Sequence, residues 1–151
     1  MDKNILSFCI KAHEGQVRKY SDQPYICHPI EVAMIVSKYL SGAFTDYTVE
    51  KMINAALGHD ILEDCTHISK EEIENALGNG VFQLVRELTN PSKGSTASRA
   101  DRKAADRQHL AGVSWEAKII KLIDRTCNLR DMTGADDAFK VKYATESQLL
   151  L

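Results

Sequence analysis

The chain has 151 residues, 44% of them hydrophobic and 26% charged, with a formal net charge of −2. That length suits a single domain, residues 1–151, with a sizeable core; the balance excludes a disordered chain and gives no overall pull toward nucleic acid or an anionic membrane. Four cysteines, at positions 9, 27, 65 and 127, form no CxxC pair, so neither a disulfide scaffold nor a zinc finger is expected; with no leader-like N-terminus and no apolar run near ~20 residues, a reducing cytoplasm and no membrane span are expected.

In chain order, Lys3 to Gln16 carries a helical stripe through Ile5, Leu6, Cys9, Ile10, Ala12 and His13. Arg18 to Gln23 is polar and breaks it. In Pro24-Tyr25-Ile26-Cys27-His28-Pro29, the two prolines predict an extended Tyr25-Ile26 and a non-helical, rigidly held His28 at or near an N-cap. Pro29 then suits the first turn of a helix over Ile30–Leu40, which Ser41-Gly42 ends. Asp46 or Thr48 can cap the next helix, which runs through Val49, Met52, Ile53, Ala56 and Leu57 into His59-Asp60-Ile61-Leu62-Glu63-Asp64. The small run Ala55-Ala56-Leu57-Gly58 predicts close packing on several sides.

Ser69 to Glu72 reads as a capping box for a short helix ending at Leu77-Gly78. Another helix is expected from Gly80 or Val81 to Thr89. Pro91 to Ser98 is the clear loop, which could close over phosphates or simply connect helices. Arg99 to Leu110 is a charged helix broken by Gly112, and Ser114 caps a long one from Trp115 to Met132. A weaker helix from Asp136 ends at Leu149-Leu150-Leu151, a leucine-rich end open to a homo-oligomer. With no sustained period-2 alternation, the fold expected is an all-α, compact multi-helix bundle.

Two features point to a metal. The run from His59 to Asp64 crowds four ionisable side chains of ligand type onto the end of an apolar helix, where a solvated face is not expected. Were the run helical, His59 and Glu63 would be i,i+4 neighbours, as would Asp60 and Asp64. Asp124 falls near the apolar face of its own helix, and a buried aspartate is costly unless paired or coordinated. His28, His59, Asp60 and Asp124 together offer two imidazoles and two carboxylates. That set suits Mn²⁺, Fe²⁺, Zn²⁺ or Co²⁺, any of which could activate a water for attack on phosphorus. Taken singly, each of these residues reads first as a structural one; together, the adjacent His-Asp followed by Glu-Asp is hard to produce as a solvated face.

His59-Asp60, with His28 upstream and Asp124 downstream, resembles the HD superfamily of metal-dependent phosphohydrolases. The resemblance narrows with Arg18-Lys19, then Pro24 to Pro29, then His59 to Asp64, then Lys121-Leu122-Ile123-Asp124-Arg125-Thr126-Cys127-Asn128-Leu129-Arg130. This ordered set is similar to the RelA/SpoT-type alarmone hydrolases, above all the small stand-alone members that hydrolyse (p)ppGpp. The resemblance implies an HD-type bundle with His28, His59, Asp60 and Asp124 holding a divalent ion, typically Mn²⁺. It implies that Glu63 and Asp64 handle the attacking water and the leaving group, that Arg18 and Lys19 grip phosphates, and that Asn128 contacts the nucleoside near the ribose. The implied partner is a small nucleotide carrying pyrophosphate, with ppGpp or pppGpp giving GDP or GTP and pyrophosphate. At this length no TGS, ACT or synthetase domain is expected beside it.

Leu57-Gly58, Cys65 and Cys127 depart from the common pattern at pocket walls rather than at ligands. The cysteines read as buried filler ahead of redox control. Lys93, Arg99, Arg102, Lys103 and Arg107 add cations, but read first as an exposed charged helix. Two other readings stand beside the alarmone hydrolase: an HD enzyme for another nucleotide or dinucleotide phosphate, and a non-catalytic nucleotide- or partner-binding HD bundle.

Overall fold

Among the described residues, six of the nine α-helices begin at a side chain that accepts hydrogen bonds from the backbone N–H groups just inside the helix, which are the groups a helix cannot satisfy by itself. These caps are Asp2, Thr45, Ser69, Ser98, Ser114 and Asp136. The computed structural model describes residues 1–149; Leu150 and Leu151, part of the leucine-rich end, lie outside the described residues. The helices are α1 (Lys3–Ala12), α2 (Cys27–Leu40), α3 (Asp46–Gly58), α4 (Ile61–Asp64), α5 (Lys70–Leu77), α6 (Asn79–Leu88), α7 (Arg99–Gly112), α8 (Trp115–Arg130) and α9 (Asp137–Gln148), with a 3₁₀ turn over Met132–Gly134 before α9. Among the described residues there is no strand, and no helix is long and apolar enough to cross a membrane. The all-α expectation holds, and Ser69 and Glu72 form the predicted capping box.

The bundle is assembled around α3, which packs on α1, α2, α6 and α8. Its second half is buried on every side, from Met52 to Gly58 without interruption. A helix surrounded in this way is apolar all round rather than amphipathic, and the small residues Ala55, Ala56 and Gly58 let its neighbours close in. α8 in turn packs on α2, α6 and α9. The end of α3 therefore lies deep inside the molecule, between α2 and α8.

Several boundaries differ from the sequence reading, and one matters for function. α2 begins at Cys27 rather than Ile30; Ile26 is helical in backbone (φ −56°, ψ −22°) rather than extended, and His28 lies inside the first turn. The first-turn N–H groups need no intrahelical partner, so Pro29 fits there without breaking the helix. The N–H groups of Cys27 and His28 are instead met by the carbonyls of Pro24 and Tyr25, each at 3.0 Å. α1 stops at Ala12, short of Gln16, and Gly15 turns the chain at φ +77°. The polar stretch after it is a small hairpin closed by an antiparallel bridge between Val17 and Pro24. Thr45, not Asp46 or Thr48, caps α3.

A Cβ placed on Gly58 would lie 3.3 Å from Leu77 Cδ1 and 3.5 Å from Val85 Cγ2. Gly58→Val should therefore overpack the junction of α3 with α5 and α6 and cost about 1–3 kcal/mol. Thermal denaturation followed by helical circular dichroism would show a lowered midpoint; an unchanged midpoint would mean that α3 is not pressed against these neighbours.

Candidate metal centre

α3 does not run through the acidic motif. It ends at Gly58, His59 and Asp60 form a turn, and α4 restarts at Ile61 with Asp60 at its N-cap. The i,i+4 ridge expected between His59 and Glu63 is thus replaced by two groups on separate elements. His59 Nδ1 lies 2.7 Å from the Ala56 carbonyl, one turn back. A carbonyl only accepts, so Nδ1 carries a proton, and Nε2 is the nitrogen turned toward the cluster, free to ligate an ion once deprotonated. That nitrogen is buried and, among the described residues, has no hydrogen-bond partner.

Three further residues bring ligand-type atoms to it. His28 comes from the first turn of α2, Asp60 from the turn after α3, and Asp124 from the third turn of α8. His59 Nε2 is 2.9 Å from Asp60 Oδ2 and 3.6 Å from Asp124 Oδ1, while His28 Nε2 is 3.0 Å from Asp124 Oδ1 and 3.9 Å from Asp60 Oδ2. Ligand bonds of about 2.1 Å at right angles would place neighbouring ligands about 3.0 Å apart, so these separations fit a shared ion. The approach of His59 Nε2 to Asp60 lacks hydrogen-bond directionality, as expected of two ligands aimed at a common third atom rather than at each other. His28, His59 and Asp60 also form a group with ligand atoms all within 4.8 Å, which Asp124 joins through the two imidazoles.

The electrostatics ask for a cation. Burial opposes charge on His59, yet the Asp60 carboxylate holds its pKa well above the ordinary imidazole value. Burial alone would raise Asp60, but His59 beside it drives it below the usual carboxylate range. Asp124 is likewise buried and is driven well below that range, first by Lys121 and then by His28. Two carboxylates stay ionised in the interior, and the neighbouring groups respond by gaining positive charge. Hard oxygens with imidazole nitrogen suit a divalent first-row ion.

A supporting layer holds these ligands, and the sequence reading missed most of it. Tyr25 donates its hydroxyl to Asp60 Oδ2 at 2.6 Å, and burial together with Asp60 keeps that phenol protonated. Its placement three residues before His28 was the available signal. Asn128 Nδ2 donates to Asp124 Oδ1 at 2.6 Å, while its Oδ1 accepts from Arg18 Nη2 at 3.1 Å. Arg18 Nε is held by Asp131 Oδ2 at 2.8 Å. Buried Lys121 lies 3.5 Å from Asp124 Oδ2.

The acidic pair of α4 is separately anchored. Glu63 Oε1 accepts from both the backbone N and the Nδ2 of Asn90, at 2.6 and 2.9 Å. Burial raises the Glu63 pKa above the usual carboxylate value, against the Asn90 hydrogen bond that lowers it. Asp64 Oδ1 pairs with Lys93 Nζ at 2.6 Å, so the loop after α6 docks on this pair. Besides Lys121 and Lys93, Arg18 joins the hydrogen-bonded network of the centre through Asn128. Lys19 is exposed over the rings of Tyr20 and Phe139, at 5.1 and 5.8 Å. Arg99 forms a two-bond pair with Glu146, Arg102 donates to the Ala97 carbonyl, and Lys103 pairs with Asp106.

Comparison with known proteins bears on the family and the fold. The family model described as "HD domain" matches residues 6–150. The guanosine-3′,5′-bis(diphosphate) 3′-pyrophosphohydrolase MESH1 of Xenopus tropicalis is 39% identical over 127 residues, covering 83% of this chain and 66% of the relative. Its Danio rerio counterpart is 37% identical over 128 residues, covering 84% and 66%. The chain thus spans slightly under two thirds of the length of these curated relatives. Among solved structures it superposes, with a TM-score of 0.81 and 31% identity, on a metazoan ortholog of SpoT described as hydrolysing ppGpp and playing a role in starvation responses; the match covers 99% of this chain and 84% of that one. With a bundle of the same architecture and a domain match over nearly its whole length, this chain belongs to the HD domain family.

Proposed function

We propose that this protein is a metal-dependent phosphohydrolase that removes the 3′-pyrophosphate of ppGpp or pppGpp, giving GDP or GTP and pyrophosphate, with residues 1–151 acting as a single HD domain. The observation that carries the reading is the convergence of four ligand atoms from α2, the turn after α3, and α8 on one buried point, with an acidic pair anchored on the next turn. The substrates named for the relatives support the choice of nucleotide. The four free thiols agree with a cytoplasmic setting, and the partner is a small nucleotide rather than a nucleic acid or membrane.

In this reading His28, His59, Asp60 and Asp124 hold a divalent ion, with Mn²⁺ the family's usual choice. When bound, such an ion lowers the pKa of water and stabilises charge on a phosphoryl oxygen. Glu63 takes the proton of the attacking water, and burial tunes it for that task by raising its pKa. The 3′ O–P bond breaks, and Asp64 assists the departing 3′ oxygen as it takes up a proton. Arg18 and Lys19 grip phosphate oxygens. Asn128, held between Arg18 and Asp124, orients the nucleoside near the ribose.

Incubation with Mn²⁺ and ppGpp should release pyrophosphate, and a chelator should stop it. Turnover of another nucleotide in a parallel panel, with none from ppGpp, would overturn the substrate assignment. His59→Ala or Asp60→Ala should abolish both activity and bound metal, measured by elemental analysis of the purified protein; retained metal would remove them from the ligand set. Glu63→Gln should keep its metal and lose about 10²–10⁴-fold in kcat. Because the base must be ionised, wild-type kcat should fall as pH drops through the raised pKa of Glu63, at a higher pH than an ordinary glutamate would give. The Gln variant's residual rate should lack that acidic limb; if the limb persists, Glu63 is not the base. Arg18→Ala should raise KM with metal retained, and an unchanged KM would exclude it from phosphate binding.

A further inference from the structure

The base proposed above has two oxygens in different surroundings. Glu63 Oε1 is saturated by two donors from one residue, the backbone N–H and the side-chain amide of Asn90, at 2.6 and 2.9 Å. Oε2 has Lys93 Nζ at 4.0 Å and, among the described residues, no hydrogen bond. The terminal torsion of a glutamate is broad and two-fold, so an unclamped carboxylate could present either oxygen. The side chain is only 9% exposed, so water does little to fix its orientation.

We propose that Asn90 is a positioning residue for the reaction: its two N–H donors hold Glu63 Oε1 and leave Oε2 as the oxygen that receives the proton of the attacking water. This rests on the role of Glu63 proposed above. The bond from the backbone also ties the start of the loop over residues 90–98 to the acidic pair, and Lys93 adds a second tie through Asp64. The loop is thereby part of the machinery that aims the base, beyond joining α6 to α7. Donors to the ionised carboxylate favour that form, so they work against the burial that raises its pKa. The charged groups facing Glu63 are Lys121 of α8, Lys93 of the loop and Asp60 of the preceding turn. All three are retained when Asn90 alone is changed.

The test uses Asn90→Ala, which removes the side-chain donor, and Asn90→Asp, which sets a carboxylate in its place. Glu63 is titrated by carbon-13 NMR of its carboxyl group in the full chain with diamagnetic Mg²⁺, its signal assigned by its loss in Glu63→Gln. Kinetics are then measured with Mn²⁺ and ppGpp across pH. Asn90→Ala should lower kcat about tenfold to a hundredfold, the scale of one hydrogen bond to a charged group, with KM and bound metal unchanged. Titration of Glu63 and the acidic limb of kcat should both move to higher pH, further in Asn90→Asp than in Asn90→Ala. A Glu63 titration unmoved in both variants, or a loss that falls on KM or on bound metal instead of kcat, overturns the proposal. If the wild type does not turn over ppGpp, the alarmone assignment fails by itself, and the titration still decides whether Asn90 holds Glu63.

Discussion

The hydrogen bond from His59 Nδ1 to the Ala56 carbonyl is the contact on which the rest of the centre depends. It directs the Nδ1 proton of the imidazole to the helix that carries it and turns Nε2 toward the interior. It also occupies a carbonyl of the last turn of α3, one of the groups a helix end leaves unpaired. The chain then turns through Asp60 and restarts as α4, so the metal-type ligands and the acidic pair diverge onto separate elements. Nothing further along the motif could be placed correctly if α3 simply continued. The small residues before His59 serve the same end, because they allow α2 and α8 to approach closely enough for His28 and Asp124 to arrive.

Such a cluster is costly for the apo fold. Two ionised carboxylates and two imidazoles are withdrawn from water, and their mutual attraction repays desolvation only where geometry and hydrogen bonding are good. The protein answers with a supporting layer: the Tyr25 hydroxyl on Asp60, the Asn128 amide and the Lys121 ammonium on Asp124, and Ala56 behind His59. Metal ligands held in this way have their orientation fixed before the ion binds. Each support comes from an element that already carries a ligand or touches one, so fold and site are stabilised by the same packing.

Charge elsewhere is spent differently from what composition alone conveys. The basic residues of α7 look like a phosphate-binding face, yet Arg99, Arg102 and Lys103 are engaged with Glu146, the Ala97 carbonyl and Asp106. They fasten α7 to α9, to the residue before its cap and along its own length. Three cations do meet the centre: buried Lys121 of α8, Arg18 on the small hairpin before α2, and Lys93 on the loop after α6. The last two come from segments outside the helices, whereas the ligand-type residues sit on α2, on α8 and in the turn that follows α3.

The sequence by itself determined the all-α class and the caps at Ser69 and Ser114, and it singled out His28, His59, Asp60 and Asp124 as candidate ligands, because helical periodicity, serine caps and ligand-type residues on apolar faces are local signals. Family resemblance added the order of the motifs and the expected roles. The end of α3 was hidden although its cause is local: the His59 side chain takes the Ala56 carbonyl three residues back, which competes with helix continuation and leaves no trace in composition. The early start of α2 was hidden for a similar reason: the rule that the residue before proline avoids helix yields when Pro29 occupies a first turn. Only the tertiary structure decided the contacts of Tyr25, Asn90 and Asp131. Each is made with a residue distant in sequence, from 27 positions for Asn90 and Glu63 to 113 for Arg18 and Asp131, and a pairing of that kind exists only once the helices are packed. Lys121 differs, since it pairs with Asp124 three residues on; what packing adds is the burial that makes the pair matter.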